Sequence, residues 1–465
     1  MLRLSIKISK LRNSQNMGLT KIKKGLDVPI GGDPEQVIYE GKAPKKVALI
    51  GYDYVGMKPK LEVAVGDRVK LGQLLFTDKK MPAVKYTSPG SGKIAAINRG
   101  PKRVFESIVI ELAGSGEIAF KSYDEKKLKD LSADQVRTLL IDSGLWTSLR
   151  ARPFGKVADP EASPHSIFVT AVDTNPHAPN IETVLQQKEK DFSNGLVVIS
   201  RLTEGKFFLC KATGTAIPTA ETDSLSVEEF SGPHPAGNVG THIHFLDPVH
   251  RSKTVWHINA QDVAAVGKLF TSGKISVERI ISLAGPAVKK PRLLKTRIGV
   301  SIPELTEGEL DDGEIRAISG SVLSGRIAAG AVEFLGRYHQ QVSALAEGRK
   351  RRFFGWLSPG LKFFSLKRIL LSNWLPKKNY EFTTNFHGGH RAIFPIGSYE
   401  QVMPLDILPT FLLRSLIVDD IEEAEKLGCL ELVEEDLALC TLVSPAKAEY
   451  GEALRRNLTI IEKEG

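Results

Sequence analysis

Two short neighbouring stretches constrain this chain more than anything else in it. Val65-Gly66-Asp67-Arg68-Val69-Lys70-Leu71-Gly72-Gln73-Leu74-Leu75 and Ser88-Pro89-Gly90-Ser91-Gly92-Lys93-Ile94 each read as strand, tight turn, strand. Gly66-Asp67 and Gly90-Ser91-Gly92 offer the positive-φ positions that a hairpin needs. Val63, Val65, Val69, Leu71, Leu74 and Phe76 supply an apolar β face. The two hairpins are quasi-repeats inside a run of short strands and turns from Ile22 to about Leu112.

Paired hairpins of this kind resemble the barrel-sandwich hybrid, the domain that carries lipoyl or biotin in acyl-transfer enzymes. Between them, Thr77-Asp78-Lys79-Lys80 resembles the attachment turn, so a carrier protein modified on Lys79 is one reading. The spacer from Lys79 to Ser88-Pro89 is longer than in carrier domains, and Lys80 with Met81-Pro82 disturbs the turn. A solvated, unmodified lysine is preferred.

At 465 residues the chain has room for three or four domains with cores of their own. Its net charge of +9 suggests nucleic acid until the charges are located. Residues 1–24 hold seven basic residues and no acid, and residues 347–378 hold nine against Glu347 alone, which leaves the rest net acidic. The basic character is two local patches, and no nucleic-acid partner is expected. Cys210, Cys429 and Cys440 are too few and scattered for a disulfide framework or metal cluster. The longest apolar candidate, Ile407 to Val418, is short and is interrupted by Pro409 and Arg414.

Residues 1–16 read as a basic extension ahead of a second methionine, in Met17-Gly18. Helical material begins near Asp124–Leu128 and Ala133–Ser143. Ile167 to Val172 reads as a buried parallel strand, Phe192, Leu196, Ile199 and Thr203 as one helix face stopped by Gly205, and Phe207 to Cys210 as the next strand. Strand, helix, strand predicts a Rossmann-like α/β domain. Asn259 and Asp262 read as the cap of a helix closed by Gly273. Strands over Arg279–Ala284, Arg297–Ile302 and Ile315–Ile318, with a helix from Pro303, predict a β-grasp. The sequence after about residue 380 ends in helices. The expected fold is thus multidomain α/β plus β. Its units are a barrel-sandwich hybrid over 17–122, a Rossmann-like domain over 123–257, a β-grasp (SLBB-like) domain over 258–330, a connector over 331–378 that could return to the first domain, and a helical domain over 379–465.

Five stretches carry a more specific resemblance: Lys23-Lys24-Gly25-Leu26-Asp27; Ser143-Gly144-Leu145-Trp146-Thr147; Gly232-Pro233-His234-Pro235-Ala236-Gly237 with Gly240-Thr241-His242; Ser319 to Gly325; and Glu434 to Thr441. From Met17 to Gly465 the chain resembles the A-subunit family of the sodium-translocating NADH:quinone reductases. The resemblance implies a peripheral cytoplasmic subunit of a membrane complex with five other subunits. A quinone- and flavin-bearing membrane subunit is the chief partner, and the complex couples ubiquinone reduction to sodium export. More distant similarity reaches the C subunit of the Rnf complex and the flavin- and NADH-binding subunit of respiratory complex I.

Set beside those distant relatives, the departures are informative. Trp146, Leu149 and Arg150 would crowd a phosphate loop over Gly144–Phe154, where backbone amides must approach closely. Asp173-Thr174-Asn175-Pro176 stands where the relatives have paired glutamates. Cys429 and Cys440 do not form the close run that iron–sulfur ligation demands. No cofactor is therefore expected on this chain, and NADH, flavins, iron–sulfur centres and ubiquinone belong on or near other subunits. An autonomous flavoprotein dehydrogenase is a further alternative.

His242 and His244, two apart, would share a strand face and could bind metal with His234 or His250 nearby. No carboxylate or cysteine completes the set, so no metal is expected. Tyr54 and Met57, with Arg150, Arg152 and Phe154, combine flat apolar walls with polar donors and are quinone-proximal candidates within the resemblance. Arg351, Arg352, Phe353, Phe354, Trp356, Phe363 and Trp374 form a basic, aromatic segment suited to a membrane or partner contact. Phe363, Leu366, Leu370 and Trp374 are expected on one helical face.

Overall fold

Turn residues and short apolar runs between Lys46 and Leu112 build two small sheets in the computed structural model, which describes residues 18–222, 224–349, 357–376 and 378–464. One sheet orders the strands Lys46–Ile50, Phe105–Leu112, Gly92–Arg99 and Arg68–Val69; the other orders Pro59–Leu61, Leu74–Asp78 and Lys85–Thr87. Gly66 has a φ of 101° and turns the chain as expected. Gly90 and Gly92 do not lie in the left-handed region. They are glycines because a Cβ would meet Leu112 Cδ2 at 2.3 Å and the Glu111 carbonyl oxygen at 2.0 Å. The anticipated apolar face is also altered: a bulge between Leu74 and Phe76 buries both Leu75 and Phe76, while Val65 is left exposed.

The second unit is a seven-stranded sheet. Gly18–Lys21, Leu225–Ser231, Lys206–Ala212, Ser166–Ala171 and Val255–Asn259 run parallel to one another. Arg150–Arg152 and Lys156–Val157 extend the sheet antiparallel at one edge. Helices Glu189–Ser200 and Ala260–Ser272 pack on it; the latter is capped by Asn259, whose side chain accepts from the Asp262 amide, and ends at left-handed Gly273.

A six-stranded mixed sheet follows, ordered Arg326–Ile327, Ile315–Ser319, Gln341–Ala346, Glu278–Ala284, Arg292–Arg297 and Glu35–Glu40. The strand expected over Arg297–Ile302 lies earlier, because Gly299 turns the backbone at φ 71°. The first described residues therefore visit two sheets before the barrel-sandwich strands start at Lys46. Strand Gln341–Ala346 sits inside the six-stranded sheet, so that part of the 331–378 connector is integral to it. Just upstream, Phe334 packs with Ala48, Ile50 and Val109 of the first unit.

Helices Pro409–Ile417 and Tyr450–Glu464 enclose a separate C-terminal core that includes Leu412, Leu416, Leu454 and Leu458. Ahead of it, residues 357–376 form no α-helix. Left-handed Gly360 after Pro359 starts a set of turns, and the bonds from Ser372 Oγ to the Phe363 carbonyl and from Asn373 Nδ2 to the Ser365 carbonyl close them. The expected common face is accordingly split. Phe363 is half-buried against His387, whereas Trp374 is 73% exposed. Arg351, Arg352, Phe353, Phe354, Trp356 and residues 1–17 lie outside the described residues.

Candidate functional site

Tyr54 follows the turn Gly51–Asp53, where a side chain at Gly51 would come within 2.2 Å of the Phe105 carbonyl oxygen. Its ring meets Tyr86 edge-on at 4.7 Å and Tyr338 at 6.2 Å. Burial holds the Tyr54 hydroxyl well above the ordinary phenol range. Met57, half-buried, packs against the same core.

Arg150 joins this group through a residue that no sequence signal singles out. Its guanidinium lies 4.3 Å from the centre of the Tyr338 ring, within cation–π range, and the Tyr338 hydroxyl donates to the Thr147 carbonyl at 2.7 Å. Arg150 pairs across the sheet with His257. Burial, with Arg150 and Arg152 beside it, keeps that imidazole neutral, well below its usual pKa. Tyr54 and Arg150 thus meet on Tyr338, and Met57 adjoins through its amide, which donates to the Tyr54 carbonyl at 3.2 Å.

Arg152 and Phe154 face elsewhere. The Arg152 side chain is fully buried and donates to the Glu431 carbonyl at 2.8 Å, Asp436 Oδ2 at 2.7 Å and Glu435 Oε1 at 3.3 Å. Phe154, at φ 78°, packs on the C-terminal helical core, and its carbonyl accepts from Arg455 Nη1 at 2.6 Å. The two residues join the α/β sheet to the C-terminal helices. Three of the five diagnostic stretches meet here. The Leu26 amide donates to the His234 carbonyl, the His234 amide donates to Asp27 Oδ1, and a Cβ on Gly240 would sit 2.3 Å from Asp436 Oδ1. Glu435 and Asp436 belong to one of those stretches; Tyr338 falls in a connector with no periodicity to mark it.

Trp146, expected from the sequence to crowd a phosphate loop, packs inside the protein. It is fully buried, stands edge-on to Trp256 at 5.4 Å and donates from Nε1 to the Ala158 carbonyl at 2.8 Å. Left-handed Gly144 abuts Thr87, whose Oγ1 would lie 2.3 Å from an added Cβ. Lys79 lies exposed in the loop after strand Leu74–Asp78, and Asp78 pins that loop by accepting from the Lys58 and Lys80 amides.

The paired histidines correct another expectation. They lie on helix Val239–Leu246, so two residues of separation turn them to different sides instead of one strand face. His242 is buried and hydrogen-bonds the Ala236 carbonyl at 2.9 Å; His244 donates from Nδ1 to Glu431 at 2.8 Å and accepts the Asp406 amide at Nε2. Among the described residues, no group of three or more His, Cys, Asp or Glu side chains is arranged to hold a metal ion.

Three family models match the chain. They are the NqrA N-terminal barrel-sandwich hybrid domain over residues 20–113, the NqrA second alpha/beta domain over 131–275, and the NQRA C-terminal domain over 280–330. The A subunit of the Na(+)-translocating NADH-quinone reductase of Hahella chejuensis is 57% identical over 447 residues, 96% of this chain and 100% of that protein. The protein of the same name from Histophilus somni strain 129Pt is 56% identical over 444 residues, covering 96% and 99% respectively. Among solved structures, an NAD+-reducing nickel–iron hydrogenase matches at a TM-score of 0.33 and 13% identity over 47% of this chain and 48% of that one, a likeness too loose to argue from. The barrel-sandwich reading of the first unit and the α/β reading of the second agree with the family matches.

Proposed function

Because the chain belongs to the family of A subunits of the Na(+)-translocating NADH-quinone reductases, we propose that it is a peripheral subunit on the cytoplasmic face of the bacterial inner membrane. It supports ubiquinone reduction coupled to sodium export by docking on five partner subunits, above all one that carries flavin and quinone in the membrane. We read its α/β unit as Rossmann-like and its six-stranded unit as a β-grasp. The redox centres, the NADH, flavin and iron–sulfur sites, belong to the partners, and this chain contributes surfaces.

One observation carries the reading. Residues 357–376 turn Leu357, Leu361, Ile369, Leu371, Trp374 and Leu375 outward, interleaved with exposed Lys362 and Arg368. Six exposed apolar side chains in so short a segment call for a cover, and the cations suit an acidic protein surface or anionic headgroups. No helix among the described residues is long and apolar enough to cross a membrane, so attachment by such a surface fits. Tyr54, Met57 and Arg150, backed by Tyr338, are the quinone-proximal group; Arg152 and Phe154 hold the sheet edge that presents Arg150.

The test is purification of the tagged full chain from detergent-solubilised membranes. Partner subunits with NADH:ubiquinone reductase activity, and an intact mass equal to the bare polypeptide, are the expected result. A chain recovered alone, with stoichiometric flavin absorbance or a lipoyl or biotinyl increment on Lys79, would overturn it.

A further inference from the structure

Strand Gly18–Lys21 forms one edge of the seven-stranded sheet and pairs in parallel register with Leu225–Ser231, Gly18 standing opposite Glu228. The Glu228 side chain leans over that pairing. A Cβ on residue 18 would lie 2.0 Å from Glu228 Oε2, so only a glycine lets the carboxyl group rest there. The Gly18 nitrogen is two bonds from that Cβ position, which puts it within about 4.5 Å of the same oxygen.

Glu228 is only 7% exposed, and its two oxygens differ in what they receive. Oε1 accepts from the Ser226 hydroxyl at 2.8 Å, whereas Oε2 is buried and has no hydrogen-bond partner. Its neighbours in register across the sheet are Gly18, which has no side chain, and Cys210, whose thiol burial keeps protonated and uncharged. Lys211, one residue on, faces the other way and pairs with Glu229. A buried carboxyl oxygen is rarely left without a donor in a native fold. The missing donor can come from Gly18 itself. Inside a longer chain its nitrogen is a neutral amide with one N–H, and Oε2 receives nothing from it. As a chain terminus it is an α-ammonium with three N–H donors and, at neutral pH, a positive charge. The residue ahead of it is Met17, and an initiator methionine followed by glycine is open to removal by an aminopeptidase.

We infer that translation starts at Met17, that the mature chain begins at Gly18, and that the Gly18 α-ammonium is the partner of Glu228 Oε2. The processing step is hydrolysis of the Met17–Gly18 peptide bond. Water adds its hydroxyl to the Met17 carbonyl and a proton to the departing Gly18 nitrogen, which takes a second proton from the new carboxylic acid. Free methionine leaves, and the ammonium stays beside Glu228. The pair fastens the first strand to the sheet edge and exists only once the methionine is gone. It does not depend on the quinone reading.

The terminus is tested by expressing the chain, tagged at its C-terminal end, from its own gene with the natural upstream sequence. Mass spectrometry of the purified protein should find an N-terminal peptide that starts at Gly18. Met17→Leu should abolish that product, and Met1→Leu should not. A chain that starts at Met1 would overturn the inference. The pair is tested on the chain that begins at Gly18. Acylation of its α-amine at pH 7 by an N-hydroxysuccinimide ester should be at least tenfold slower than in Glu228→Gln, because an ion-paired ammonium seldom presents a free amine. One serine added ahead of Gly18 displaces the charge. It should raise the unfolding constant about tenfold in the wild-type background and leave that of Glu228→Gln unchanged. Equal acylation rates in wild type and Glu228→Gln, or a serine penalty that persists in Glu228→Gln, would overturn the pairing.

Discussion

Two regions of this molecule invert the usual arrangement of charge and grease. At the junction of the α/β sheet with the C-terminal helices, a guanidinium is entirely buried and bound to two carboxylates and a carbonyl. In residues 357–376, six large apolar side chains face solvent. The first region is closed: both Nη atoms of Arg152 have partners close enough to offset the cost of burying it, and only its Nε is left without one. The second is unfinished, because exposed apolar surface gains free energy only when something covers it. Satisfied interior charge marks where this chain holds itself together. Uncovered apolar surface marks where, on the proposed function, it is held by others.

The largest effect should come from breaking the closed region. Arg152→Met leaves Asp436 buried beside an apolar side chain, and removing one partner of a buried pair costs about 3–5 kcal/mol. Urea unfolding should show a lower midpoint, and proteolysis should release the C-terminal helices first. A double-mutant cycle with Asp436→Asn should return a coupling energy well above that of a surface pair. Simple additivity would mean that the junction is held by the apolar core alone.

Neutral buried histidines extend the contrast to pH. Burial lowers His234 and His242 from 6.5 to about 4, and His339 likewise. Their folded pKa lies below the unfolded one, so the unfolded chain binds more protons between those values. Stability from these groups is complete above about pH 6.5 and falls as pH drops toward 4, by up to about 3 kcal/mol each. His242→Gln should flatten the urea midpoint-against-pH profile over that window. An unchanged slope would show that His242 is not held neutral.

What local chemistry dictates is legible in the sequence. The Asn259 cap and Gly273 stop, the parallel strand near Ile167 and the final helix from Tyr450 each carry their signal within a few residues. Legibility ends where distant chain decides. Nothing near Gly18–Lys21 or Glu35–Glu40 indicates that their partners lie at 225–231 and 292–297. His242 and His244 have the spacing of a strand face, although their segment is helical. The aromatic spacing near 363–374 mimics a helix that Pro359-Gly360 and the side-chain-closed turns preclude. Tyr338, central to the candidate site, becomes visible only once Tyr54 and Arg150 converge on it.

The unfinished region gives a smaller and differently shaped effect. Trp374→Ala with Ile369→Ser removes two of its most exposed apolar side chains. Covering a Trp or Ile contributes roughly 1.5–3 kcal/mol, so the double variant should lose its partners at least tenfold more readily on copurification. Its own unfolding midpoint should not move, and the loss should persist in high salt because it is not electrostatic. Normal copurification would return this segment to the class of incidental surface.

The smallest effect tests whether the Tyr54 neighbourhood belongs to the closed or the unfinished kind. Arg150 is only partly buried, and its guanidinium lies over the Tyr338 ring, which leaves N–H donors for a quinone carbonyl. A charge-assisted hydrogen bond of that kind is worth about 1.5–3 kcal/mol. Arg150→Ala in the assembled complex should raise the quinone KM or lower the quinone-reducing rate about tenfold. Arg150→Lys should restore part of that loss by keeping the charge, though not the planar stack. NADH oxidation by an artificial acceptor should be unaffected, since on the proposed function it takes place on a partner. If Arg150→Ala lowers the unfolding midpoint and leaves quinone kinetics intact, Arg150 acts like Arg152, as part of the internal fastening, and the quinone site lies on a partner.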